Sequence, residues 1–538
     1  ALAAARLGAR TALIQNRPVL GGNASDECGV PLNGAASSHP NSRETGIAEE
    51  VGRVLARYSY RAYSEPFRIL TEQEPNLTVF VNRHVFAVEM ASDQRLAAVK
   101  AVDTLTGRIS TYRGTEFVDC TGDGWVGYFA KAEFRLGREA RTEFNEDLAP
   151  EQADKLTMSG CLMGGALGFR AQDTGKPVPF VRPAWAREIT QLDGPGRRLR
   201  HITGGEWWLE HPNEVDDVWE AEEARDELIR ISFSYWDYIK NRSEMKDKAV
   251  TYAMTHIPIM DAKRESRRLM GDYVLTQNDC LSGRVFPDRI SYGGWPLDVH
   301  HAEGIFSGDK GSFHCNAHVP IYTIPYRCLY SKNIENLLFA GRCASVTHIA
   351  LGSIRVESTL ATLGQAAGSA AALCVSLKTT PRGIYQDHIA TLQQTLLKHD
   401  QTIPGVVNED PADLARGAKT VTASSTATFV ELTDSAVSRE PAHPLDHDRG
   451  MVLPTAALDQ FRSLSLYLGN STGTAVTLTL RLRAAKTADD RSAKDDLATA
   501  TGTVPPGRES WVNFALDTPV SSPFVWFWIP KTEGLTWR

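Results

Sequence analysis

Unbroken apolar runs, rather than alternation, mark the strands of the first 400 or so residues. Leu337–Ala340 (LLFA) reads as a strand covered on both faces. Gly341 then permits a sharp turn at its carboxyl end, the edge at which open α/β sheets take ligands. After a loop over Ser345–Gly352, a long helix carries Gly364, Ala366, Ala367, Gly368, Ala370 and Ala371. So small a surface lies close to a sheet or a ligand, and the helix start is expected to offer free N–H groups. Ala1–Arg10 reads as the body of a helix and Thr11–Gln15 as a strand, the second half of a βαβ unit. A chain opening in mid-helix is expected to have lost its beginning, together with any leader.

Gly21-Gly22 interrupts the chain after this strand, followed by a polar loop to about Glu44 and an amphipathic helix over Ile47–Tyr60. Leu77–Ala87, Ala97–Asp103, Ile109–Tyr112 and Thr115–Cys120 read as strands, the last ending in Thr121-Gly122-Asp123-Gly124. From 130 to 330 the pattern is mixed and loop-rich. A helix is predicted over Glu214–Lys240, with Trp219, Leu228, Ile231, Tyr235 and Tyr238 on its apolar side. Asp288–His318, dense in Gly, His, Asp and aromatics, reads as an irregular substrate-lining loop. Further on, Ser463–Leu468 and Val476–Arg483 alternate with period two, and Phe524–Ile529 is another strand. These predict an all-β sandwich behind a polar linker near 405–420.

At 538 residues the chain has room for two to four domains. A net charge of −7 is small for this length and speaks against a nucleic-acid partner. No run of eighteen apolar residues occurs, so no membrane span is expected. The eight cysteines (Cys28, Cys120, Cys161, Cys280, Cys315, Cys328, Cys343, Cys374) show neither CxxC spacing nor a zinc-type cluster. They are expected to be mostly reduced and structural.

Five segments carry a family resemblance: LAAARLGARTALIQNRPVLGGNAS (2–25), VDCTGDGWVG (118–127), DAKRESRRLMGDY (261–273), WPLDVH (295–300) and IPYRCLYSKNIENLLFAGRCASVTHIALGSIRV (324–356). In these the chain resembles the FAD-dependent oxidoreductases of the glutathione-reductase-like superfamily. More narrowly, it is similar to a bacterial branch found among carbohydrate-degrading proteins and loosely labelled xanthan lyase. The resemblance implies an α/β fold with a Rossmann-like FAD-binding domain in two parts, 1–128 and 331–404. A mixed α+β substrate domain (129–330) interrupts it, and the β-sandwich (420–538) follows.

The family's glycine loop, GxGxxG, is absent and would lie just before Ala1. Gln15 occupies the place of the acid that holds the adenosine ribose, and its amide can still bond ribose hydroxyls. By resemblance, Gly21 and Gly22, with Asn23 beside them, run along the flavin and pyrophosphate. Thr121, Gly122 and Asp123 form a second dinucleotide-contacting turn. Gly341 and Arg342 lie near the ribityl chain and pyrophosphate, with Arg342 a phosphate partner. Gly352, Ser353 and Ile354 would bring backbone N–H groups to the flavin N1/O2 edge, where the reduced flavin carries its charge.

Taking hydride from an alcohol carbon requires a base for the hydroxyl proton, and histidine titrates in the right range. His300 and His301 follow Asp298, which can orient one of them; the alternative is a loop histidine satisfied by backbone. His348 is a second candidate, or else a residue packed under the cofactor at the start of a helix. Arg355 can bind substrate or pair with Glu357 or with neighbouring Asp residues. Arg264, Arg267 and Arg268, with Glu265, can clamp a carboxylate, although ion-pair structure is the stronger expectation. His39, Arg43 and Glu44 are expected near the same pocket. Trp295, Phe306 and Phe313 can stack on a sugar or pack in the core. His300, His301, His314 and His318 fit no zinc spacing, so no metal is expected there. Cys28 and Cys343 flank the flavin region but lack the CxxxxC of a redox pair.

The leading expectation is an FAD-dependent oxidoreductase passing hydride from a polar, carbohydrate-like substrate to flavin N5, with His300 or His348 as base. Its partners would be a small-molecule or glycan substrate and an electron acceptor. The sequence itself names no compartment, and analogy with the family favours the periplasm or the outside of the cell. Two rivals are redox-neutral, flavin-assisted glycan cleavage and a non-catalytic glycan-binding protein with a degenerate flavin site.

Overall fold

Ala3, Ala4 and Ala5 are buried on helix α1 (Leu2–Arg6). A Cβ placed on Gly368 would lie 3.2 Å from the Ala3 Cβ, so the helix carrying Gly368 approaches α1 about as closely as backbones allow. Strand β1 (Thr11–Ile14) follows, and after it helix α2 (Ile47–Arg57). β1 pairs in parallel with β2 (Leu77–Phe80), Thr11 opposite Leu77. The apolar stretch expected as one strand over Leu77–Ala87 is therefore two. Asn82, at φ +56°, turns the chain into β3 (Arg83–Ser92), which forms an antiparallel meander with β4 (Arg95–Asp103) and β5 (Ile109–Arg113). Then come β6 (Phe117–Asp119) and helix α3 (Trp125–Phe129).

This computed structural model describes residues 1–39, 41–57, 64–152, 163–189, 197, 199, 201–212, 216–419, 442–455, 460–486, 490–520 and 522–538. Residues 58–60 of the expected helix over Ile47–Tyr60, Cys161, and 420–441 of the expected sandwich lie outside them. The described chain falls into two units, Ala1–Asp413 and Leu414–Arg538.

Within the first unit, helix α4 spans Ala221–Asn241 and buries Leu228, Ile231 and Tyr235. Trp219 precedes it and is 58% exposed, so it is not part of the apolar side expected for a Glu214–Lys240 helix. The Asp288–His318 segment is more regular than its composition implied. It holds β7 (Arg289–Gly293), β8 (Leu297–His300) and β9 (Phe313–Ala317), with β8 antiparallel to β9. Gly293, Gly294 and Pro296 cut these strands too short for a period to show.

Strand β10 (Leu337–Phe339) is fully buried and pairs in parallel with β6, Phe339 opposite Asp119. Each of its three side chains contributes roughly 1.5–3 kcal/mol of burial. Helices α5 (His348–Ile354) and α6 (Glu357–Leu377) complete this part. The long helix thus begins at Glu357, beyond the Gly352 region. By length and hydropathy α6 would also suit a membrane span, but 67% of its most apolar window is buried in the unit, which marks it as a core helix.

The second unit is a β-sandwich. One four-stranded sheet orders His443–Pro444, Leu535–Trp537, Gln460–Asn470 and Glu509–Pro519; the other orders Arg449–Pro454, Phe524–Ile529, Val476–Ala485 and Ala498–Val504. Leu468, Leu480, Leu482, Phe514, Phe527 and Ile529 fill the space between them.

Candidate functional site: a flavin cradle and two buried histidine–carboxylate pairs

The parallel strands β6 and β10 end side by side, tied by the Ala340 N–H donating to Asp119 O at 3.1 Å. Their turns therefore face the same space. Asp119 builds the first turn. Its buried carboxylate accepts the Thr121 N–H (3.0 Å), the Thr121 hydroxyl (2.7 Å) and the Gly127 N–H (3.0 Å). Gly122 sits at φ +77°, and a Cβ there would strike Arg342 Nη2. Arg342 comes from the second turn and lies 3.6 Å from Asp123 Oδ1. Its buried Nε has no hydrogen-bond partner among the described residues, and neither does Asp123 Oδ1. Space opens where Cβ atoms would stand on Gly22 and Gly341. Glu357, at the start of α6, is held up to about 7 by burial against the pull of Arg342 and Arg355.

Gly21 precedes Gly22 at φ +117°, with the Phe67 ring filling the space of its missing Cβ. Asn23 ties this turn to the 261–268 segment by donating to Lys263 O at 2.8 Å. Gln15 directly follows β1, and its amide donates to Val19 O at 3.1 Å.

The histidines divide into two settings. His300 is buried with Nδ1 against Glu210 and Nε2 2.9 Å from Asp298 Oδ1. Asp298 also takes Arg355 Nη2 at 2.9 Å and Trp295 Nε1 at 3.2 Å. Arg264 reaches Glu210 at 3.1 Å. Burial opposes ionisation of both carboxyls. Even so, Arg355 holds Asp298, and His300 with Arg264 holds Glu210, below the usual carboxylate range. Both ring nitrogens of the candidate base His300 therefore face carboxylates of the protein itself.

His348 opens α5 beneath the Thr347 cap and is also buried. Its backbone N–H donates to Glu139 Oε2 at 2.8 Å, and Nδ1 lies 2.8 Å and 2.9 Å from the two oxygens of Glu265. Glu265 accepts the Met163 N–H at 3.0 Å, and Arg268 stands 3.7 Å away while pairing with Glu139 at 3.1 Å. Nδ1 must donate to the carboxylate, which leaves the lone pair on Nε2.

Residues 1–396 match the sequence profile of the FAD dependent oxidoreductase family. The chain belongs to that family. It is an FAD-dependent oxidoreductase enzyme, and its cofactor is FAD. A search of curated proteins finds no match. Among solved structures, the chain is similar at 12% identity to a point mutant of the FrdA chain of E. coli quinol fumarate reductase, over 74% of this chain and 72% of that one, with a TM-score of 0.26. A quinol-fumarate reductase with menaquinol molecules matches at 12% identity over 63% of this chain and 53% of that one, with a TM-score of 0.19.

The cradle of this FAD-dependent oxidoreductase suits a dinucleotide diphosphate. Two glycine turns bare their backbone, and a guanidinium with an unused donor lies between them. One expected contact does not fit. Gly352, Ser353 and Ile354 form the last turn of α5, where their N–H groups serve the helix itself. The Ser353 hydroxyl bonds Trp295 O at 2.5 Å, and Tyr322 OH stands 2.7 Å away. The free helix start lies instead at Glu357–Thr359, and Ser358 there already donates to Asn33 O at 2.9 Å.

The remaining candidates pack within the protein. Arg264 and Arg268 hold the two carboxylate systems. Arg267 donates to Asp123 O at 3.0 Å and lies over the Trp125, Tyr128 and Trp219 rings at 4.3–5.1 Å. His301 packs edge-on against His314. His39 bonds Gly294 O at 2.9 Å, whereas Arg43 and Glu44 line a groove of about 390 Å³ with Leu32, Glu49 and Ser358. Phe313 packs on Trp207 and His300, and Arg187 covers the Phe306 ring. The seven described cysteines are free, Cys28 and Cys343 included, and burial pushes the Cys28 thiol up to about 12. Sequence reasoning missed Glu139, Glu210 and Asp119. Of these only Asp119 had a local signal, an acid two residues before the hydroxyl of a Thr-Gly turn.

Proposed function

We propose that this oxidoreductase removes hydride from a hydroxyl-bearing carbon of a polar, carbohydrate-like substrate, with His348 taking the hydroxyl proton at Nε2. Bound FAD supplies the hydride acceptor, its N5 atom. Glu265 fixes the His348 ring and stabilises the imidazolium as it forms. His300, buried between Glu210 and Asp298, helps to position the Asp298 carboxylate that holds Arg355. Arg355 keeps a buried Nε–H without a partner among the described residues, a donor suited to a substrate oxygen. The uncommitted nitrogen of His348 carries this reading.

Two features support the substrate class. Charged and hydrogen-bonding groups meet both histidines, and at His300 they stand beside the Trp207 and Phe313 rings. In addition, the sandwich carries Trp526 and Trp528 beside Arg481 and Arg483 on one sheet, groups that suit sugar rings. The test is anaerobic mixing of the FAD-loaded chain with sugars, polyols and uronic acids while flavin absorbance is followed. Bleaching by one of these, abolished in His348→Gln with flavin retained, is the expected result. Undiminished bleaching in that variant would refute the role of His348. Bleaching only by non-carbohydrate hydroxy acids would refute the substrate class.

A further inference from the structure

A third polar cluster, not used by the reaction, includes the residue that follows Glu210. His211, Asp217 and Asp261 are all buried, and one ligand atom from each lies within 4.8 Å of the others. All four carboxylate oxygens of Asp217 and Asp261 are buried and lack a hydrogen-bond partner among the described residues. Two buried, uncompensated carboxylates are costly unless a cation or protons join them.

The spacing around His211 bears on the choice. His211 Nε2 stands 3.4 Å from Asp217 Oδ2 and 3.8 Å from Asp261 Oδ2. Both are longer than the ~2.7–3.2 Å of a hydrogen bond. They are close to the ~3.4 Å edge of a tetrahedron whose metal bonds are about 2.0–2.2 Å. The His211 ring is also oriented as a ligand. Nδ1 lies 2.8 Å from Pro212 O and so donates there, which leaves the lone pair on Nε2. That lone pair accepts the Gly165 N–H at 3.2 Å, a contact that an ion on Nε2 would replace. Gly165 itself lies so close that a Cβ would overlap the Asp261 carboxylate. The nearest cation does not fill the gap, because Lys263 spends its ammonium on Asp217 O and on Asp123 Oδ2.

We infer that His211, Asp217 and Asp261 bind a divalent transition-metal cation of the Zn²⁺ class, with water as the fourth ligand. One imidazole and two carboxylates neutralise such an ion and leave one coordination position open. The ligands adjoin the functional residues in sequence: His211 follows Glu210, and Asp261 lies three residues before Arg264. The ion therefore pins the segment that carries Glu210 to the segment that carries Arg264 and Glu265. This is a positioning role, independent of the substrate proposed above.

The test is native mass spectrometry and calorimetric titration of the full chain with Zn²⁺, followed by Co²⁺ substitution. One ion per chain at micromolar or tighter affinity is expected, with the intense visible absorption of tetrahedral Co²⁺. At least a hundredfold loss is expected in Asp217→Asn/Asp261→Asn. No stoichiometric ion, or equal binding by the double variant, would overturn the inference. So would a carboxylic-acid infrared band that persists in excess Zn²⁺, since it would show a proton shared between the two acids. If the double variant does not fold, the Co²⁺ spectrum of the unmodified chain decides: tetrahedral bands support the site, and an aquo-ion spectrum refutes it.

Discussion

His348 and Glu265 meet at 2.8 Å, and the contact determines which ring nitrogen can accept a proton. Glu265→Gln offers an amide that can present N–H to Nδ1 and drive the ring to the other tautomer. The substrate-driven rate of flavin reduction should fall about 10²–10⁴-fold, with bound flavin unchanged. Rapid-mixing absorbance measures it, and a fall of less than about threefold would remove Glu265 from the mechanism.

Gly122→Ala combines a strained φ of +77° with a Cβ driven into Arg342 Nη2. Gly341→Ala carries a similar strain, at φ +79°, but its Cβ would meet nothing. Each should lose about 1 kcal/mol of stability to strain. Only Gly122→Ala should also displace the guanidinium and weaken FAD binding at least tenfold, as read by flavin fluorescence. Equal FAD affinities in the two variants would count against Arg342 as a diphosphate partner.

Asp298→Asn leaves the buried Arg355 guanidinium facing a neutral amide. A loss of about 3–5 kcal/mol is expected near neutral pH. Because Asp298 is held below its ordinary 3.8, its stabilising contribution is complete above that value and disappears as pH falls below it. Melting curves of the two proteins should therefore converge on acidification. A gap independent of pH down to 3 would contradict the assignment.

Glu357 gives the opposite dependence. Its folded-state value of about 7 lies above the ordinary 4.5, so the folded chain keeps a proton that the unfolded chain has released. Stability should decline as pH rises from about 4.5 to about 7 and then level off, by about 1–3 kcal/mol from this group. Glu357→Gln should flatten that part of the profile. A melting temperature that falls equally in both proteins would place the effect elsewhere.

Local chemistry was legible in the sequence, and long-range pairing was not. The apolar run of β10 and the Thr121–Gly124 turn announce themselves, since both are written in adjacent residues. The break between α5 and α6 is harder to read, because Arg355-Val356 contains neither Gly nor Pro, and only the Thr347 cap marks the earlier start. The strands around Asp298 and His300 are four or five residues long, below the length at which alternation is distinctive. Asp298 stands two residues before His300 and was legible, whereas Glu210 lies 90 residues from His300 and Glu265 lies 83 from His348, so nothing near either histidine forecasts those two acids.

Those separations bear on the order in which the molecule forms. The His348–Glu139 and Thr347–Glu146 contacts close loops of more than 200 residues, and Arg268–Glu139 closes one of 129. Contacts so far apart must wait for the chain's local elements, because the entropy of closing each loop is lost before the contact can repay it. The long-range part of the buried charge system is therefore among the last to assemble, and a partly folded chain carries its histidines without the distant acids Glu210, Glu265 and Glu139.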